Sequence, residues 1–201
     1  MRQRDLEILL ERSVPAFLTP RPDLEQYRTP AKVAADWLYK AHALGDLAGK
    51  DVLDLGCGTG MLSVGAALLG ARVTGVDVDT NALEAAREAA ARAHVEIETI
   101  SGDVAAVTLP EADTALTNPP FGAQRRGADR PFLEAAFRAA HVVHAMVNAP
   151  SVGFVEAFAA KRGAARTHVW RYAFAIPHQF WFHEKARQDV ETFVVRFERS
   201  K

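Results

Sequence analysis

Short apolar runs alternate with amphipathic stretches through most of this chain, and the alternation sets the first expectations. Asp5 to Arg12 has a helical repeat of apolar positions, and Pro15, Pro20 and Pro22 then impose an extended connection. Val33, Trp37, Leu38 and Ala41 recur at helical spacing, with Thr29 as the expected N-cap, Pro30 at the first helical position and a stop near Gly45. Strands are predicted at 51–55, 72–76, 95–100, 112–116 and 141–147. Helices are predicted at 61–69, at 81–93 with Thr80 as cap, at 132–140, and at 152–161 with Ser151 as cap. Strands alternating with helices imply a parallel sheet with right-handed crossovers and helices on both faces. The rhythm breaks at the end, where 166–175 and 189–197 both read as strands with no helical pattern between them. They are expected to pair as an antiparallel hairpin at the sheet edge.

At 201 residues this is one domain's worth of chain, 1–45 forming a helical and flap segment and 46–201 the core. Lys plus Arg number 24 against 25 Asp plus Glu, so overall charge argues neither for nor against a polyanionic partner. A single cysteine, Cys57, excludes an internal disulfide and a cysteine-built zinc site, and is expected to be packing. No apolar run approaches the ~18 residues of a membrane span, and no signal-peptide pattern is present. The expectation is a cytoplasmic protein with no membrane contact.

The first strand runs into Asp54-Leu-Gly-Cys-Gly-Thr-Gly60. Glycines at 56, 58 and 60 let backbone approach a ligand, and the following helix offers unpaired N–H groups. A dinucleotide fingerprint requires glycine where Met61 stands, which argues against nicotinamide or flavin. Asp77 ends the second strand, about 20 residues after the loop begins, where a carboxylate can accept from both ribose hydroxyls. Asp103 follows the third strand, where it can accept from an adenine amino group or simply close a turn. Asp54, Asp77 and Asp103 thus fall at successive strand ends on the carboxyl edge, where such folds bind ligands. After the fourth strand comes Thr117-Asn-Pro-Pro-Phe-Gly122, in which two prolines forbid the strand from continuing. The turn offers an amide, prolyl carbonyls and a ring; its plain alternative is punctuation of the strand.

In this order, DLGCGTG, VDVD, SGDV and TNPPFG resemble the class I S-adenosylmethionine-dependent methyltransferases of the amino-methylating branch. With LEQYRT and the tail FHEKARQDVETFVVRF, residues 24 to 197 are similar to the archaeal and eukaryotic family that N6-methylates an adenosine of small-subunit ribosomal RNA. The resemblance implies a Rossmann-like α/β fold with a seven-stranded sheet, helices on both faces and a C-terminal antiparallel hairpin. It implies that Gln26 and Thr29 close over S-adenosyl-L-methionine, that Asp54, Gly56, Gly58, Thr59, Gly60 and Met61 line its methionine end, and that Asp77 and Asp103 hold ribose and adenine. Asn118, Pro119, Pro120 and Phe121 would receive the target base, Asn118 also bordering the cofactor. The Asn118 oxygen and the Pro119 carbonyl would accept from the amino group, and Phe121 would stack. Arg28 departs from the family pattern, which has proline between the tyrosine and threonine.

Arg125, Arg126 and Arg130 follow the turn, and 161–201 holds nine Lys and Arg against four Asp and Glu. RNA phosphates are the expected contact, with Arg125, Arg126 and Lys185 foremost; a solvated basic face is the alternative. Phe180, Trp181, Phe182 and His183 lie beside Lys185 and Arg187, and His178 and His183 read as polar contacts with no metal. Three other functions fit less well. A translation-factor glutamine N5-methyltransferase carries a larger helical domain before the glycine loop, and a DNA adenine-N6 methyltransferase needs a segment that reads DNA. A non-catalytic binding subunit predicts a decayed turn motif. Eukaryotic members of the resembled family work with a small zinc-binding activator protein, an expected partner class here.

Overall fold

The computed structural model describes residues 1–122, 125–177 and 187–200. Helices α1 (Gln3–Ser13) and α2 (Ala31–Ala43) precede the alternating core. The core runs β1 (Asp51–Leu55), α3 (Met61–Leu68), β2 (Arg72–Asp77), α4 (Thr80–Arg92), β3 (Glu98–Ser101), β4 (Ala112–Thr117), α5 (Arg130–Ala139), β5 (Ala140–Asn148) and α6 (Val152–Ala160). Strands β6 (Ala164–Pro177) and β7 (Arg187–Arg199) end the chain. The seven strands form one sheet in the order β3-β2-β1-β4-β5-β7-β6. Strands β1 to β5 pair in parallel, while β7 is antiparallel to both β5 and β6, so the predicted hairpin is inserted with β7 inward and β6 at the edge.

One face of the sheet packs on α1 to α4 around Trp37, Leu38, Leu6 and Leu10, and the other on α5 and α6 around Phe137, Leu133 and Phe197. That second cover is incomplete, because among the described residues no helix lies between β3 and β4. Towards the amino ends of β2 and β3 the positions on that face are polar: Glu98 lies in register beside Thr74, and Arg72 is ion-paired to Asp51, while Leu53 next to Thr74 is buried. An open groove of about 950 Å3 lies at the amino edge of these strands, lined also by Arg87, Ala90 and Ala91 of α4.

A buried charge cluster adds to the β5–β7 pairing in holding the C-terminal hairpin to the parallel core. Asp46, in the turn after α2, accepts two hydrogen bonds from the Arg196 guanidinium, at 2.7 and 2.8 Å. His144 of β5 donates from Nε2 to the same carboxylate at 2.8 Å and accepts from the Trp37 indole at its Nδ1, 3.3 Å. An indole nitrogen only donates, so His144 is the neutral tautomer with its proton on Nε2. Burial pushes the Asp46 carboxyl up, but the bonds from Arg196 and His144 outweigh it and hold it below the ordinary carboxylate range. Arg196 is thereby a structural cation, 6% exposed, and not the phosphate contact that a charge count suggests. Arg162, Arg166 and Arg171 are likewise paired, with Glu134, Glu156 and Glu191.

Three predicted caps are corrected. The Thr29 hydroxyl is taken by Asn118 and Pro30 occupies the N-cap position of α2. Asp79, one residue before Thr80, accepts from the Asn81 N–H and caps α4. Ser151 makes no side-chain cap; its own N–H is bound by the Asn148 side chain. The third strand is also shorter than predicted, beginning at Glu98 where pairing with Thr74 starts.

Candidate active site

The carboxyl ends of β1, β2, β3 and β4 meet at a cavity of about 350 Å3, within the range of small-molecule sites. Its floor is the glycine turn. Gly56, Gly58 and Gly60 all have positive φ, at 75, 53 and 91°, the left-handed region where side chains are strained. The Gly56 and Cys57 N–H groups bond the Val76 carbonyl at 2.8 and 3.0 Å, which clamps the turn against β2. Two aromatics enclose it: a Cβ at Gly56 would sit 2.9 Å from the Phe132 ring, and one at Gly58 would sit 2.8 Å from the Phe17 ring. Neither aromatic is recognisable from the sequence, since Phe17 lies in a proline-bounded connection without periodicity.

Asp77 accepts from the Gly58 N–H at 2.8 Å on one oxygen and from the Asp79 N–H at 2.9 Å on the other. Burial raises its pKa above the ordinary value, and its carboxylate still has acceptor capacity on the cavity wall. Asp103 lines the same cavity, exposed, with one oxygen closing its own turn through the Ala105 N–H. Asp54 is 1% exposed and accepts from the Ser63 hydroxyl at 2.6 Å; burial raises its pKa to about 7. It borders a narrow annex of about 40 Å3 shared with Thr29, Gly58, Thr59, Met61 and Asn118.

The segment between α1 and α2 forms the roof. Thr59 donates to the Pro15 carbonyl at 2.8 Å, and Arg28 donates to the Val14 carbonyl at 2.8 Å. The Gln26 side chain accepts from the Arg21 N–H and donates to Asp79, both at 2.8 Å. It therefore fastens the roof to the end of β2. Asn118 sits where roof and floor meet: its Nδ2 donates to the Thr29 hydroxyl at 2.9 Å, and its Oδ1 accepts from the Tyr27 hydroxyl at 3.2 Å. Asn118 and Pro120 line the cavity, Pro119 is buried, and Phe121 packs against the core with its ring 5.7 Å from that of Tyr27. Arg125 reaches the cavity mouth and Arg126 is exposed beside it; Lys185, with the histidines and aromatics near it, lies outside the described residues.

The profile of the methyltransferase small domain matches residues 37–145, more than half of the chain. The chain belongs to this family. An rRNA N(6)-adenosine-methyltransferase of Drosophila melanogaster is 33% identical over 98% of this chain and 97% of its own length. One of Danio rerio is 31% identical over 98% and 99%. The crystal structure of a proposed RNA methyltransferase from Pyrococcus horikoshii superposes with a TM-score of 0.92 at 40% identity, covering 100% of this chain and 99% of that one. The fold is that of a class I methyltransferase. The methyl donor of this methyltransferase is S-adenosyl-L-methionine. The site suits it: carboxylates on the cavity wall match ribose hydroxyls and a cationic amino acid end, and the glycine turn admits backbone contact. No helix among the described residues is long and apolar enough to cross a membrane.

Proposed function

We propose that this protein transfers the methyl group of S-adenosyl-L-methionine to N6 of an adenosine in small-subunit ribosomal RNA. The observation that carries the reading is the Asn118 amide, fixed at the junction of roof and floor by Thr29 and Tyr27. Two relatives that match along nearly the whole chain and act on that atom support it. When bound, the cofactor supplies an electrophilic methyl on a sulfonium. Asp77 and Asp103 hold its nucleoside end, and the turn from Asp54 to Met61 holds its amino acid end under Gln26 and Thr29.

The N6 lone pair of adenine is delocalised into the ring and is a poor nucleophile. Asn118 Oδ1 and the Pro119 carbonyl accept from the amino group, favouring a pyramidal nitrogen and stabilising the charge that develops on it. Catalysis is then chiefly orientation, with no covalent enzyme intermediate. Phe121, beside Tyr27, stacks on the base, while Arg125 and Arg126 meet phosphates at the mouth. We assign the enzyme to the cytoplasm. The short edge strand β3, beside the open groove at the amino edge, is the surface we assign to a small activator protein of the zinc-binding kind.

The test offers labelled cofactor with small-subunit ribosomal RNA, a translation release factor and DNA side by side. Label in RNA, recovered as N6-methyladenosine, is expected. Label entering only protein refutes the RNA assignment and favours the glutamine reading.

A further inference from the structure

Beyond the cavity mouth, two side chains at the carboxyl edge remain unused by the reaction. Arg130 is the first residue of α5, directly after the loop that carries Arg125, and is exposed. Among the described residues it makes no ion pair; its guanidinium lies 5.1 Å from the centre of the Phe154 ring. Phe154, in the first turn of α6, is 41% exposed, while its neighbour Phe158 packs beneath it at 5.9 Å and is covered by Arg162 at 3.6 Å. Arg162 is committed to Glu134, whereas Arg130 has no side-chain hydrogen bond or ion pair among the described residues.

We propose that Arg130 and Phe154 form a stacking platform for a single-stranded nucleotide flanking the methylated adenosine. The inference rests on the RNA reading above and extends it from the arginines after the turn to the Phe154 ring, which the sequence does not mark. An exposed ring backed by a planar cation fits a nucleobase on one side and a phosphate on the other. Its position joins it to the mouth, where Arg125 and Pro131 line the cavity, so a strand leaving the base pocket meets it next. The net positive character of this loop, with Arg125 and Arg126 also unpaired among the described residues, favours a polyanion over a protein partner.

The experiment measures fluorescence anisotropy of a short adenosine-bearing single-stranded RNA with the full chain across a salt series. Phe154→Ala is expected to weaken binding about tenfold. Arg130→Ala should lower the slope of log Kd against log salt by ~0.7, the loss of one single-strand phosphate contact. Arg130→Lys should keep the slope and still bind less tightly, because an ammonium lacks the planar face. Cofactor binding by calorimetry and melting temperature should match the wild type in all three. If the wild type binds and methylates RNA but the variants bind equally well, the platform is overturned and the RNA reading stands. If the wild type transfers label only into protein, the RNA reading fails and the platform with it.

Discussion

Replacing Asp54 by Asn should make the cofactor-free protein more stable at neutral and alkaline pH while weakening cofactor binding. Asp54 is buried at the end of β1, and burial raises its pKa from the ordinary 3.8 to about 7. Below pH 3.8 both folded and unfolded chains carry the proton, and nothing is lost. From there to pH 7 the unfolded chain ionises while the folded one keeps its proton, so stability falls as pH rises, by about 1.4 kcal/mol per unit. Above pH 7 both states are ionised and the loss is constant at roughly 4 kcal/mol, a large part of the ~5–15 kcal/mol that holds a typical domain together. Urea denaturation of wild type and Asp54→Asn from pH 5 to pH 9 reads this contribution, which is chiefly desolvation, with the repulsion between Asp54 and Asp77 a smaller part of the same difference. The stability difference should grow up to pH 7 and then level off. Calorimetry below pH 7 should also show proton release when the cationic cofactor binds the wild type and none for the variant. A stability difference that does not change with pH would refute the reasoning.

Asn118→Ala should reduce turnover by about 10²–10³ while leaving cofactor binding nearly intact, since it removes an acceptor for charge that develops only during transfer; equal losses in single-turnover rate and calorimetric affinity would assign Asn118 to the cofactor instead. Arg196→Met strands the Asp46 carboxylate in the interior and should cost about 3–5 kcal/mol in urea denaturation, with a correspondingly lower melting temperature. Gly58→Ala should weaken cofactor binding both through its positive φ and by pushing on Phe17. In a calorimetric double-mutant cycle, Phe17→Ala should therefore cost less in the Gly58→Ala background than in the wild type, and strict additivity would argue against that contact.

The strands were legible because periodicity marks them: each predicted parallel strand is present, and the acids at 54, 77 and 103 fall on one edge of the sheet. What sequence reasoning missed belongs to contacts between distant segments. A threonine before a proline reads as a cap, yet Thr29 turns its hydroxyl to a side chain 89 positions away. Charge counting left Arg196 among the nine basic residues offered to phosphate or solvent, because composition carries no information on burial. The roof was hardest to foresee, since Phe17, Gln26 and Tyr27 find partners in the glycine turn, Asp79 and Asn118, which no local pattern announces. The basic tail was overestimated for a related reason: surface glutamates and arginines neutralise one another pairwise once the hairpin and α6 bring them together.

The bond between Asp46 and Arg196 spans 150 positions of chain. On a translating ribosome adding about 5–20 residues per second, roughly 8–30 s separate synthesis of the two partners. Every candidate catalytic side chain has been made well before the guanidinium that allows Asp46 to be buried. A nascent or truncated chain lacking β7 thus holds the full reaction chemistry but must either expose its core or bury a lone charge. The last strand completes the burial of the core and adds nothing to the chemistry of the cavity.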